Sequence, residues 1–91
     1  MCSGAGDSLL NHPAVRGADA YITSDLRHHP ASESAEQTLL GEGPALIDIS
    51  HWASEWVWLD GAAQRLRDAH PEIEVIVSEI NTDPWTFAIQ Q

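Results

Sequence analysis

His51 and Glu55 stand at i and i+4 in Ser50-His51-Trp52-Ala53-Ser54-Glu55. On a helix that spacing puts an imidazole and a carboxylate on one face, a turn apart. The pair suits a borderline divalent cation, which takes neutral imidazole and carboxylate oxygen together. Two donors do not fill a coordination shell. A second source lies in Asp25-Leu26-Arg27-His28-His29, where Asp25, His28 or His29 could ligate, support a ligand or carry a proton. Each feature also has a plain explanation: His-x-x-x-Glu is common on surface helices, and adjacent histidines are ordinary in a polar loop. The pair gains weight only if the fold brings both stretches to one place.

The elements that would do so follow from periodicity. Ala20 to Thr23 predicts a short strand, and Ala45 to Ile49 a second, buried one. Along the latter, Leu46, Asp48 and Ser50 share one face and Ile47 and Ile49 the other. Asp48 is then expected half-buried at the strand end, a hydrogen-bonded carboxylate bracing the loop rather than a ligand. Ser50 is a favoured N-cap, and a period of about 3.6 runs from His51 to His70. Trp52, Trp56, Leu59, Ala63 and Leu66 form its core stripe, while Trp58 shares the neighbouring face of His51 and Glu55, as a wall of the site or an interface with another subunit. Gly61 costs about 1 kcal/mol against Ala in mid-helix, which predicts a kink or a close neighbour there.

Between the strands, Pro30 suits a first helical position, and Ala31, Ala35 and Leu39 make a stripe for close packing on a sheet. Gly41 and Gly43 end that helix. Upstream, Met1 to Gly6 is a glycine-rich turn, followed by a helix over Ser8 to Val15 capped by Asp7. Gly4-x-Gly6 has no lysine and no preceding strand, so it reads as the second half of a strand–turn–helix unit lacking its strand, rather than as a phosphate loop. A poorly stable chain with an unpaired sheet edge beside that turn is the consequence. Downstream, Ile73 to Val77 predicts a strand, Asn81 to Trp85 a turn, and Thr86 to Ile89 a last extended piece.

Alternating helices and strands imply right-handed β-α-β crossovers: an α/β fold with a small, mostly parallel sheet, open to a mixed edge, and helices on its faces. The carboxyl ends of parallel strands share one edge, where ligands bind. Asp25, His28 and His29 would there meet His51 and Glu55.

Composition narrows the function classes. The chain has 91 residues, a net charge of −10, no lysine and four arginines. Nucleic acid and anionic membrane surfaces both need clustered cations, so neither is an expected partner. The acidity suits cation binding, and acidic solubility accounts for it equally well. A chain of this length buries roughly 60 to 65 % of its unfolded surface, a modest core for one small domain or part of a larger one. Cys2 alone allows no internal disulfide and no cysteine-based zinc site. The opening residues lack the basic and apolar regions of a signal peptide, and no run reaches transmembrane length, so a cytoplasmic location is expected.

Three motifs in order then carry a resemblance: Gly17-Ala-Asp-Ala-Tyr-Ile-Thr-Ser-Asp-Leu-Arg-His-His-Pro-Ala31, Ile47-Asp-Ile-Ser-His-Trp-Ala-Ser-Glu55 and Asn81-Thr-Asp-Pro-Trp85. Together they resemble the C-terminal part of the dinuclear-metal hexameric proteins known as type 2 GTP cyclohydrolase I homologues. The first motif and the lack of lysine look like its actinobacterial branch. The resemblance covers essentially the whole chain, residues 1–91, as a single α/β unit. It implies the C-terminal portion of a larger two-repeat α/β protein that self-associates as a hexameric ring. Each intact subunit would hold two divalent ions, zinc, iron or manganese. His51 and Glu55 match two of the metal ligands, with the glutamate bridging. The family's adjacent histidine pair and aspartate come from its N-terminal half and have no counterpart here. His28-His29 instead match a second-half loop from which a histidine reaches the site. Two functions follow from the resemblance. One is a metal-dependent hydrolase in which the ions activate a water and His29 or His28 moves protons. The other is a metal-binding assembly protein without turnover, its halves held together by the ions.

Overall fold

Ala20–Ser24 (β1) and Ala45–Ile49 (β2) pair in parallel, Ala20 opposite Ala45 and Ser24 opposite Ile49. Helix α2, His28–Leu39, connects them. This is the central β-α-β unit of the computed structural model, which describes residues 1–87, 89 and 90. The register is what matters for function, because it brings the residues just after β1 and just after β2 to the same edge.

The N-terminal arm differs from expectation. Cys2 to Ala5 is not only a turn: it runs parallel to β1 itself. The Cys2 amide donates to the Ile22 carbonyl at 3.0 Å, the Ser24 amide donates to Gly4 at 3.3 Å, and Ala5 bridges Ser24. Three side chains of β1 reinforce this pairing, since Tyr21, Thr23 and Ser24 donate to the carbonyls of Gly6, Gly4 and Ser3. β1 is therefore flanked on both sides, by β2 and by the arm. Gly6 is what permits the close approach, since a Cβ there would collide with the Tyr21 and Thr23 hydroxyls. The helix expected over Ser8 to Val15 is instead a 3-10 turn, Asp7–Leu9, and a single α turn, α1, Pro13–Arg16. Pro13 has no amide hydrogen and fits only the first turn of a helix, so α1 starts there, capped by the His12 ring.

Helix α2 begins two residues before Pro30, which sits third in its first turn, where an amide donor is not needed. Its inward face also departs from the Ala31, Ala35, Leu39 stripe. Ser34 is the buried residue, and Ala35 and Leu39 are exposed. The reason is polar: Thr38 Oγ1 bonds the carbonyls of Ser34 and Pro44, at 3.0 and 2.8 Å, and this draws that side of the helix onto the turn into β2.

The long helix expected from His51 to His70 is broken. It comprises α3, His51–Trp56, and α4, Leu59–Ala69. At the break the Trp58 amide bonds Glu55 three residues back, tightening the turn and shifting the stripe's phase. Of the expected stripe, Ala63 is buried, Trp52, Trp56 and Leu59 are half-buried, and Leu66 is exposed. Gly61 neither kinks α4 nor meets a neighbour: a Cβ there would find no atom within 4 Å.

Ile73 to Val77 is not a strand. A strand needs a neighbouring edge, and here the stretch is held by side chains instead. Arg67 donates to the Val75 carbonyl and Trp56 Nε1 to the Ser78 carbonyl, both at 2.8 Å. Asn81 to Trp85 makes the expected turn, with the Asp83 amide on Asn81 Oδ1 at 2.8 Å. The expected last piece, Thr86 to Ile89, includes Ala88, which lies outside the described residues; Thr86 and Phe87 have no regular structure.

The core is small. Among the described residues, Leu10, Tyr21, Pro44 and Ala63 are its buried apolar side chains. The radius of gyration is 16.9 Å, whereas a compact chain of this length would have about 12 Å. No described helix is long and apolar enough to cross a membrane.

Candidate metal centre

Because β1 and β2 are in register, Asp25 directly follows β1 and His51 opens α3 just after β2. The structure brings the two together: Asp25 Oδ2 lies 2.5 Å from His51 Nδ1, and Glu55 Oε1 lies 3.0 Å from His51 Nε2. The imidazole is thus bracketed by carboxylates, first Asp25 and then Glu55, and both hold its pKa above the usual histidine value.

Three loops position this trio. Ser50 caps α3, its hydroxyl accepting from the Ala53 amide at 3.1 Å while donating to Asp83 of the 81–85 turn. Asp83 thereby links the third sequence motif to the first turn of α3, a role that sequence reasoning missed. Asp48 is exposed rather than half-buried, and it braces the loop as expected, accepting from the Leu26 amide at 3.3 Å. Asp7 accepts from the Arg27 amide at 3.1 Å and pairs with its guanidinium. That guanidinium holds the Asp7 carboxyl below its ordinary value. Between these two braces Asp25 adopts φ 52°, the left-handed region that only short polar side chains and glycine enter readily.

Gly4 completes the enclosure from the N-terminal arm. The Ser54 hydroxyl of α3 bonds the Ser3 carbonyl, which also accepts from Ser24 Oγ at 3.0 Å. A Cβ at Gly4 would stand 3.1 Å from Glu55 Oε1 and 3.4 Å from His51 Nε2. The absence of a side chain leaves room against both atoms. Neither Gly4 nor Ser54 carries a recognisable signal in the sequence, because their roles depend on how the arm packs. On the other side, Asp25, His51, Glu55, Trp52, Trp56 and Asp83 line a cleft of about 430 Å³.

His28 and His29 occupy the first turn of α2, exposed, with their rings edge to face at 5.3 Å. Among the described residues neither hydrogen-bonds to His51 or Glu55. Trp58 is 67 % exposed. His51 Nε2 and Glu55 Oε1 are the donors suited to a divalent ion, and no third histidine, cysteine or carboxylate among the described residues joins them around a common point.

Comparison with known proteins agrees with the three motifs. Residues 1–84 match the model of the Duf34/NIF3 (NGG1p interacting factor 3) family. The "GTP cyclohydrolase 1 type 2 homolog" of Streptomyces coelicolor is 48 % identical over 90 residues, covering 94 % of this chain and 30 % of the relative. Its namesake from Mycobacterium leprae is 46 % identical, covering 100 % of this chain and 23 % of the relative, and that from Bacillus subtilis is 32 % identical, covering 96 % and 23 %. The chain thus spans less than a third of the length of these relatives. No solved structure matches it. With residues 1–84 matched by the family model and relatives 46–48 % identical over nearly the whole chain, the chain belongs to the Duf34/NIF3 family.

Proposed function

We propose that this chain contributes one half of a divalent-metal centre, with His51 and Glu55 as its ligands, to a metal-dependent hydrolase. The observation that carries the reading is the 3.0 Å separation of His51 Nε2 and Glu55 Oε1 beside the bare Cα of Gly4. Two atoms each about 2.0–2.2 Å from one tetrahedral zinc ion stand roughly 3.4 Å apart, so the pair needs to open only slightly to take zinc or a similar ion. The helix dipole at the start of α3 opposes a cation, and the anionic Glu55 offsets it. A bound ion would supply Lewis acidity to a substrate oxygen or a water. His28 and His29, directly following the Asp25 loop, would carry protons. The relatives' name points to the same reaction class.

Calorimetric titration with zinc or manganese tests the ligand assignment. A full structural zinc site is worth on the order of 10 kcal/mol or more, and a half-site should bind well below that. His51→Ala and Glu55→Ala should each remove most of the affinity, and His12→Ala and His70→Ala should change little. Unchanged binding in His51→Ala would refute the assignment.

A second reading, metal binding for assembly without turnover, is favoured by the apolar surface: Leu39 and Leu40 are 87 % and 84 % exposed. On this reading the family's hexameric ring covers that surface. Loss of metal would then disperse the assembly, and a His51 variant would have no activity to lose.

A further inference from the structure

Asp25 stands out for a reason separate from ligation. It is the one non-glycine residue among those described with a positive φ, and the loop around it is pinned on both sides. The Leu26 amide is held by Asp48, from β2, and the Arg27 amide by Asp7, from the N-terminal turn. A backbone held in a sparsely populated conformation by its surroundings is commonly one that aims a side chain. Here the aim is defined: Oδ2 reaches His51 Nδ1 at 2.5 Å, on the side of the ring away from Glu55.

We propose that Asp25 is a positioning residue, accepting a hydrogen bond from His51 Nδ1–H so that the unprotonated Nε2 faces Glu55 and Gly4. This rests on the assignment of His51 as a metal ligand. In a neutral imidazole one nitrogen carries the proton and the other is free to ligate. Of the two carboxylates flanking His51, Asp25 is the closer, at 2.5 Å against 3.0 Å for Glu55. The proton therefore stays on Nδ1, and Nε2 is the atom released to an ion. Ligating histidines commonly donate their other N–H to a carboxylate in this way. Asp25 thus holds the ring without itself touching the ion, and its unusual backbone angle is what lets a residue following β1 reach a ring on α3.

Two measurements on the metal-free and zinc-titrated 91-residue chain test this. Long-range nitrogen–proton correlation spectra, recorded above the end of the His51 titration, report which nitrogen carries the proton. The parent should show Nδ1–H. Asp25→Gly accepts the backbone angle but lacks the carboxylate, so it should lose that tautomer and bind zinc about 10- to 100-fold more weakly, the usual cost of losing such a partner. Asp25→Asn retains an acceptor oxygen and should restore the tautomer and much of the affinity. A parent protonated on Nε2, or an Asp25→Gly chain matching the parent in both measurements, overturns the proposal. The tautomer needs no metal, so the two readings can fail apart: a parent with Nδ1–H, lost in Asp25→Gly, that takes up no zinc upholds the positioning role and sinks the ligand assignment.

Discussion

The Ser50 hydroxyl donates to Asp83 while accepting from the Ala53 amide, so the α3 N-cap is itself anchored by the turn near the end of the chain. Removing the hydroxyl should cost more than an ordinary cap. Ser50→Ala is expected to lower unfolding free energy by about 1–2 kcal/mol, the upper part of the range for caps. Asp83→Ala keeps the cap and loses only the anchor, so it should cost less. Urea midpoints of the two variants check the order; a larger loss in Asp83→Ala contradicts it.

Two glycines should respond to alanine with opposite signs. A Cβ at Gly6 would collide with the Tyr21 and Thr23 hydroxyls against a fully packed strand. Gly6→Ala is therefore expected to destabilise by about 1–3 kcal/mol, the usual cost of overpacking. Gly61 lies within α4 with open space around it, so Gly61→Ala should stabilise by about 0.4–1 kcal/mol through helix propensity and a less flexible unfolded chain. Thermal or urea unfolding of both variants gives the signs directly.

Local pattern made the central β-α-β unit readable: two short apolar runs, a helix between them and turn-forming glycines all agree at Ala20–Ser24, His28–Leu39 and Ala45–Ile49. The i, i+4 relation of His51 and Glu55 was readable for the same reason, because α3 alone decides it. Where a residue's environment comes from a distant segment, the pattern misleads. Ile73 to Val77 has β-branched residues, but strand preference largely expresses packing on a neighbouring sheet, and no described edge receives this stretch. The Ala31, Ala35, Leu39 stripe was outweighed by Thr38 finding the Pro44 carbonyl. In the site, the meeting of Asp25 with His51 followed from strand register, whereas Gly4 and Ser54 enter it only through the path of the N-terminal arm.

Asp7 gives an acid-side prediction. Its pKa is lowered, chiefly by the hydrogen bond from the Arg27 side chain. A depressed carboxyl stabilises the fold above its unfolded pKa, 3.8, and that contribution disappears as pH falls through the lower folded value. Carboxyl carbon shifts should place the Asp7 midpoint below 3.8, and Arg27→Ala should move it back up. An Asp7 that titrates identically in both chains counts against the pairing.

His51 predicts the opposite dependence in the metal-free chain. Its pKa is raised above 6.5 by the hydrogen bond to Asp25 first and by that to Glu55 second. The imidazolium donates to both carboxylates at once, whereas the neutral ring can donate to only one. A raised histidine pKa stabilises the folded state fully below the unfolded value of 6.5, and the contribution is lost as pH rises through the folded value. Without metal, urea midpoints should therefore decline from pH 6 toward the alkaline side of the His51 transition, in the reverse sense to the Asp7 effect. Proton shifts of the ring should place the His51 midpoint above 6.5, and Asp25→Ala should lower it more than Glu55→Ala, following the order of the two causes. In the double variant the midpoint should return close to 6.5 and the alkaline loss of stability should vanish. A His51 midpoint at or below 6.5 in the parent would mean that the carboxylates do not bracket the ring in solution.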